Sequence, residues 1–161
     1  MKTLNPQQIL VWLSEVYDPE IPVLSLPDLG VIRRVEVDGK TVMIELTPTF
    51  VGCPALDVMQ GDIRTTLARH GLTDVQITVS FETPWTSDRI SEKGRQSLRA
   101  FGISPPGKGN LIPDLAILEY CPCPRCGSIE TELRNIFGST PCRSIHFCLR
   151  CREPFEQFKP L

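Results

Sequence analysis

Histidine is scarce in this chain: its 161 residues hold two, His70 and His146. Neither follows a glutamate at Glu-x-x-His spacing, so the paired helical motifs of a ferritin-like di-iron oxygenase are missing. No G-x-G-x-x-G and no P-loop occurs, which removes the common dinucleotide and nucleotide fingerprints. Nothing argues for catalysis on a substrate, and no catalytic residue is assigned. No apolar run approaches the ~20 residues of a membrane span. The start, Met1-Lys2-Thr3-Leu4-Asn5-Pro6, lacks the apolar stretch of a signal peptide. A cytoplasmic, reducing location and no membrane partner are therefore expected. Strong positive charge is also absent. The net charge is −2, with 11 Lys and Arg against 15 Asp and Glu in residues 1–120, and 6 against 4 in 121–161. A nucleic-acid module needs a clearer basic patch than that. There is no internal repeat and no low-complexity segment.

What the chain does have is cysteine, seven in all, six of them in the last quarter. Cys123-Pro-Arg-Cys126-Gly127 and Cys148-Leu-Arg-Cys151 form a C-x2-C-x21-C-x2-C pattern. Two intervening residues let both thiolates of a tight turn reach one ion, and two such turns complete a closed tetrahedral set. Gly127 supplies the positive φ that such a turn often needs. Residues 118–161 therefore read as a small zinc ribbon with Cys123, Cys126, Cys148 and Cys151 as ligands to a structural Zn2+. The alternative, two disulfides in a secreted module, does not suit a reducing compartment. A thioredoxin-like use of Cys123 and Cys126 lacks the βαβ context and ignores the second pair. Cys121, one residue from Cys123, has an awkward spacing for joint chelation and reads as a spare thiol. His146, between Ile145 and Phe147 in an expected strand, is expected to point outward.

Ahead of the ribbon the pattern is mixed. Asn5 can cap a helix with Pro6 at its first position, Gln8 completing a capping box and Leu4 stapling onto Ile9. Ile9, Leu13 and Val16 recur at helical spacing, and the helix should end near Asp18-Pro19. A proline-rich extended loop follows, then strands over 31–37 and 41–47 around an Asp38-Gly39 turn. That turn pairs Val35 with Val42 and Val31 with Leu46, and sets Arg33 opposite Ile44 at a snorkelling edge. Pro54 opens a second helix with Leu56, Met59, Ile63 and Leu67 on one stripe, ending at Gly71. Residues 75–81 alternate as a third strand, and Ser91 to Ala100 form a short helix closed by Gly102. The fold class is α+β: a two-layer domain over 1–104 with helices packed on a three-stranded sheet, a linker over 105–117, then the ribbon. Trp85 reads equally as a packing residue and as a partner anchor.

One cysteine lies outside the ribbon. Cys53, in Gly52-Cys53-Pro54, stands directly before the second helix, where unpaired N–H groups and the helix dipole favour a thiolate. A buried small hydrophobe is the equal alternative. Asp18 and Glu20 could bind a hard ion or a partner; Asp18 reads more readily as a loop-shaping or helix-stopping residue, while Glu20, before Ile21-Pro22, has no obvious local role.

Asp18-Pro19-Glu20-Ile21-Pro22, Asp28-Leu29-Gly30-Val31 and Gly52-Cys53-Pro54 resemble the signature of the iron–sulfur-assembly domain family that includes the SufT-type proteins. The resemblance covers roughly residues 6–85. It implies that Cys53 is a functional thiol, supported by the Asp18 and Glu20 loop, in delivering Fe–S clusters. Over the whole chain, Pro84-Trp85-Thr86-Ser87-Asp88, Gly102-Ile103-Ser104-Pro105-Pro106 and Arg152-Glu153-Pro154-Phe155-Glu156-Gln157-Phe158-Lys159 resemble the D components of phenylacetyl-CoA epoxidase systems. In those systems a di-iron oxygenase epoxidises the ring of phenylacetyl-CoA, fed by a reductase carrying flavin and a 2Fe–2S cluster. The resemblance implies an accessory protein of aerobic phenylacetate catabolism, with oxygenase or reductase subunits as partners and a transient Fe–S cluster as cargo. A docking subunit that carries no cluster is the alternative. Cys142, in Gly138-Ser139-Thr140-Pro141-Cys142, also matches this pattern and is a further candidate for metal binding or transfer.

Overall fold

A computed structural model describes residues 4–108 and 121–161. The chain divides into two compact units, Met1–Trp85 and Thr86–Leu161. Of the expected linker and ribbon, residues 109–117 and 118–120 lie outside the described residues. No helix among the described residues is long and apolar enough to cross a membrane.

The first unit begins with α1 (Pro6–Leu13), capped by the Asn5 side chain, which accepts from the Gln7 N–H at 2.9 Å. The helix stops at Leu13, ahead of Asp18, because the chain is diverted by backbone pairing: Tyr17 bridges Ser25, and the Leu26 N–H bonds the Val16 carbonyl at 2.9 Å. The proline-rich stretch is not wholly extended. Ser25 caps a short helix, α2 (Leu26–Leu29), closed by Gly30 in the left-handed region at φ 77.

β1 (Ile32–Asp38) and β2 (Thr41–Leu46) form an antiparallel hairpin, and β3 (Val75–Val79) pairs parallel to β2. The register differs from the expected one. Asp38 pairs with Thr41, so the two-residue loop is Gly39-Lys40, and Val35 faces Ile44 while Val37 faces Val42. Gly39, at φ 60, supplies the left-handed residue as the first rather than the second loop position. A shift of two keeps the core face, because side chains alternate with period two. An irregularity between Ile32 and Arg34 then releases Arg33, which pairs with Glu45 at 3.2 Å. α3 (Leu56–Arg69) crosses between β2 and β3 and buries Met59, Ile63, Thr66 and Leu67. The core joins these to Ile9, Leu13, Val42, Ile44 and Leu46. Trp85 packs inside, its indole donating to the Leu29 carbonyl at 3.1 Å.

The second unit opens with a 3-10 turn at Ser87–Arg89 and α4 (Glu92–Phe101), capped by Ser91 and closed by Gly102 at φ 92. β4 (Ile103–Ser104), β5 (Thr131–Asn135), β6 (Arg143–Cys148) and β7 (Pro154–Phe158) make a sheet of order β4-β7-β6-β5. The expected boundary followed residue 104, but α4 and β4 group with the ribbon strands. β4 is hydrogen-bonded to β7, and the buried Arg95 guanidinium donates to the carbonyls of Ser87 (2.8 Å) and Pro106. These long-range bonds leave no signal in local composition.

Candidate metal centre and thiol loop

The ribbon carries two turns with one hydrogen-bond plan. In the first, the Gly127 N–H bonds the Cys123 carbonyl and the Cys123 N–H bonds the Ser128 carbonyl, both at 2.9 Å. In the second, the Arg152 N–H bonds the Cys148 carbonyl at 2.9 Å and the Cys148 N–H bonds the Glu153 carbonyl at 3.0 Å. Each turn therefore needs a left-handed residue four places after its first cysteine. Gly127 fills it at φ 72, and Arg152 at φ 62 is the one positive-φ residue other than glycine among the described residues. A side chain there costs roughly 1–2 kcal/mol. Gly127→Ala should lower ribbon stability by about 1 kcal/mol from backbone strain alone, since a Cβ meets nothing within 4 Å. Arg152→Gly should raise it by a similar amount. Chelator-competition midpoints measured on the two variants read both effects.

The turns face each other. Cys123, Cys126, Cys148 and Cys151 present sulfurs that all lie within 4.8 Å of one another. Cys123 to Cys151 is 3.7 Å and Cys126 to Cys148 is 3.6 Å. A tetrahedral ion with metal–sulfur bonds of about 2.3 Å requires sulfur–sulfur edges of about 3.8 Å, so the donor set fits such an ion. The thiols also need a cation. The Cys151 N–H, bonding the Cys148 sulfur at 3.5 Å, pulls that thiol down to about 7. Burial, then the neighbouring thiols, push Cys151 up to about 12. Four crowded sulfurs ionise together only around a positive ion.

Three other groups surround this centre. Cys121 is buried beside Cys123, Cys148 and Phe155, and burial pushes its thiol up to about 12. It lies outside the four-sulfur group and suits an unreactive packing thiol. His146 is the clear correction: it is fully buried, with Nε2 2.9 Å from Ser144 Oγ and its ring stacked 5.5 Å from Phe155. The inward face of β6 holds residues 144, 146 and 148, so a ligand at Cys148 forces His146 inward. Burial lowers its imidazole to about 4. Since the unfolded ring titrates near its ordinary 6.5, His146 adds stability above pH 6.5 that is lost as pH falls toward 4. His146→Phe should therefore flatten the acid limb of the ribbon's unfolding midpoint plotted against pH.

Cys142 is also buried and is not among the four gathered sulfurs. Thr140 Oγ1 lies 3.1 Å from its sulfur and accepts from Arg143 Nε at 2.9 Å. Arg143 in turn pairs with Glu156 at 2.8 Å, and that carboxylate accepts from the Ser139 N–H at 2.7 Å. Gly138 is tightly enclosed here: a Cβ would stand 2.6 Å from Glu156 Oε1 and 3.1 Å from the Arg143 backbone carbon, so the glutamate would have to shift. The loop that holds Cys142 is thus folded around one ion pair.

In the first unit Cys53 is half-buried. α3 starts at Leu56 rather than at Pro54; a turn intervenes, with the Leu56 N–H bonding the Cys53 carbonyl at 3.3 Å. The residue at the helix cap is Ala55, whose side chain satisfies none of the first-turn N–H groups. Two apolar side chains near it in the chain face solvent, Val51 at 80% and Val58 at 50% exposure. Asp18 is buried and shapes its loop, with Oδ1 accepting from the N–H groups of Glu20 and Ile21, both at 2.8 Å. Glu20 is half-buried in the same turn. Sequence reasoning missed Thr47, buried at the end of β2, whose hydroxyl finds no partner among the described residues. Its place just before the Cys53 loop is the only signal it carries.

Residues 6–79 match the family described as iron–sulfur cluster assembly protein, and residues 118–159 match the PaaD zinc beta ribbon domain. An Escherichia coli (strain K12) protein, assigned by name to 1,2-phenylacetyl-CoA epoxidase as its D component, is 40% identical over 99% of this chain and 97% of its own. A protein of Porphyromonas gingivalis (strain ATCC BAA-308 / W83) named as an Fe-S protein maturation auxiliary factor is 39% identical over 57% of this chain and 89% of its own. Among solved structures, a DUF59 domain of unknown function from Bacillus anthracis matches with a TM-score of 0.55 at 24% identity. That match covers 58% of this chain and 90% of the domain, and the two share a fold.

Proposed function

Because this chain belongs to the family of the phenylacetyl-CoA epoxidase D component, we propose that it is a non-catalytic maturation factor of that multicomponent system. Its work is to help assemble the Fe–S or di-iron centres of the partner oxygenase or reductase. The observation that carries this reading is the pairing, in one chain, of an iron–sulfur-assembly domain and a four-cysteine ribbon.

The two metal roles separate by donor chemistry. Cys123, Cys126, Cys148 and Cys151 would hold zinc, which supplies a fixed cross-link between the two ribbon turns. Four sulfurs leave no open position for a reactive water. Cys53 is a different kind of thiol: single, half-buried and set before an uncapped helix start. The positive end of the α3 dipole, with no side-chain cap from Ala55, would favour its thiolate, and one thiolate can bind a cluster briefly and release it. Asp18 fixes the backbone of the loop that carries Glu20, and this loop would support the thiol in meeting cargo or partner. Cys142 serves as a second transfer thiol if Cys53 alone does not suffice.

Protein purified without oxygen tests this directly by metal and sulfide analysis with an absorption spectrum. About one zinc per chain is expected, with iron and acid-labile sulfide on only a fraction of chains. In cells lacking the protein, the oxygenase and reductase should be isolated with depleted iron. Full iron content in both partners would overturn the maturation role and leave a docking subunit.

A further inference from the structure

A groove of about 360 Å3 runs in the first unit between residues 15–22 and the C-terminal half of α3. One wall is apolar, made by Tyr17, Pro19 and Pro22, and the other is the α3 surface from Asp62 to Arg69. Three carboxylates line it, those of Glu15, Asp18 and Asp62, against the guanidinium of Arg69. Asp18 is engaged by the N–H groups of its own loop. Arg69 is turned onto its helix, donating to Thr66 Oγ1 at 3.0 Å. Glu15 is exposed; its Oε1 meets His70 Nε2 at 2.9 Å, and that ring stacks on Trp12 at 4.5 Å. Asp62, exposed on α3, forms no hydrogen bond or ion pair among the described residues.

This lining selects its occupant. A multivalent cation would need converging carboxylates, and among the described residues the gathered metal-ligand group is the four cysteines. An anion meets net negative charge. A purely apolar ligand would leave Asp62 facing it without a counter-charge. We infer that the groove docks an extended, arginine-bearing segment of a partner protein. Arginine lays an apolar stem along Pro19, Pro22 and the Tyr17 ring and offers a planar fork to a carboxylate. Asp62 stands eight residues before His70, about 12 Å along the helix. Arginines four residues apart on an extended chain are about 13 Å apart and on one face, so one segment reaches both carboxylates. This surface involves neither Cys53 nor the ribbon, so its failure would leave the maturation role standing.

The test uses the full, metal-loaded chain and the peptide acetyl-Arg-Ala-Arg-Ala-Arg-amide, followed by amide chemical shifts. Shifts are expected at Tyr17, Asp62 and Thr65, weakening as salt is raised. Asp62→Lys, a reversal at an exposed helix position, should weaken binding at least tenfold, and Asp62→Asn with Glu15→Gln at least fivefold. The matching glutamate peptide should cause no shift. Amide spectra of the variants confirm that they fold. No shift with the arginine peptide at millimolar concentration, or binding that survives Asp62→Lys, would overturn the inference.

Discussion

Cys148→Ser should unfold β5, β6 and β7 while leaving residues 4–85 folded. Cys148 is fully buried, and its small core consists of Cys121, Cys123, Phe155 and the half-buried Cys151. That cluster is small, so a bound ion would be the ribbon's principal source of stability. Apparent free energies for structural zinc are about 10–16 kcal/mol, as large as the whole stability of an ordinary domain. A serine oxygen is a poor substitute for thiolate and also leaves a polar group in the buried site. Hydrogen exchange should show loss of protection across Thr131–Asn135, Arg143–Cys148 and Pro154–Phe158. The amides of α1, β2 and α3 should be unchanged, because that unit has its own core. A strong chelator should reproduce the pattern in the unaltered protein. Retained protection in the three ribbon strands would remove the metal from its structural role.

The second large effect is expected in a different molecule. Cys53→Ser should leave this protein's stability within about 1 kcal/mol, since the side chain is half-buried and serine keeps its size. If Cys53 transfers a cluster, the oxygenase or reductase made in those cells should lose most of its iron, and growth on phenylacetate should fall with it. Val51 and Val58 give a control: charged residues there should weaken partner contact without touching the thiol. Normal partner iron and normal growth with Cys53→Ser would make Cys53 a packing residue.

Much of this was legible because it is local. The C-x2-C turns declare themselves within five residues each, and Asn5-Pro6 and Ser91 with Gly102 mark helix ends through short-range hydrogen bonds. The hidden features depend on distant partners. Val16 bonds Leu26, and that pairing ends α1 before Asp18. The bulge at Arg33 and the Gly39-Lys40 loop set a register that Asp38-Gly39 alone did not give. Arg152 adopts a left-handed conformation with no glycine to announce it. His146 was decipherable in principle, since it is two residues from a ligand on a strand, but its apolar neighbours drew attention to the wrong face.

The four gathered sulfurs are unequally covered. Cys148 and Cys123 are sealed, Cys151 is partly covered and Cys126 is exposed. Loss of the ion therefore has a direction. An oxidant or a competing chelator should reach Cys126 first, so Cys126 should be the first of the four thiols to be modified.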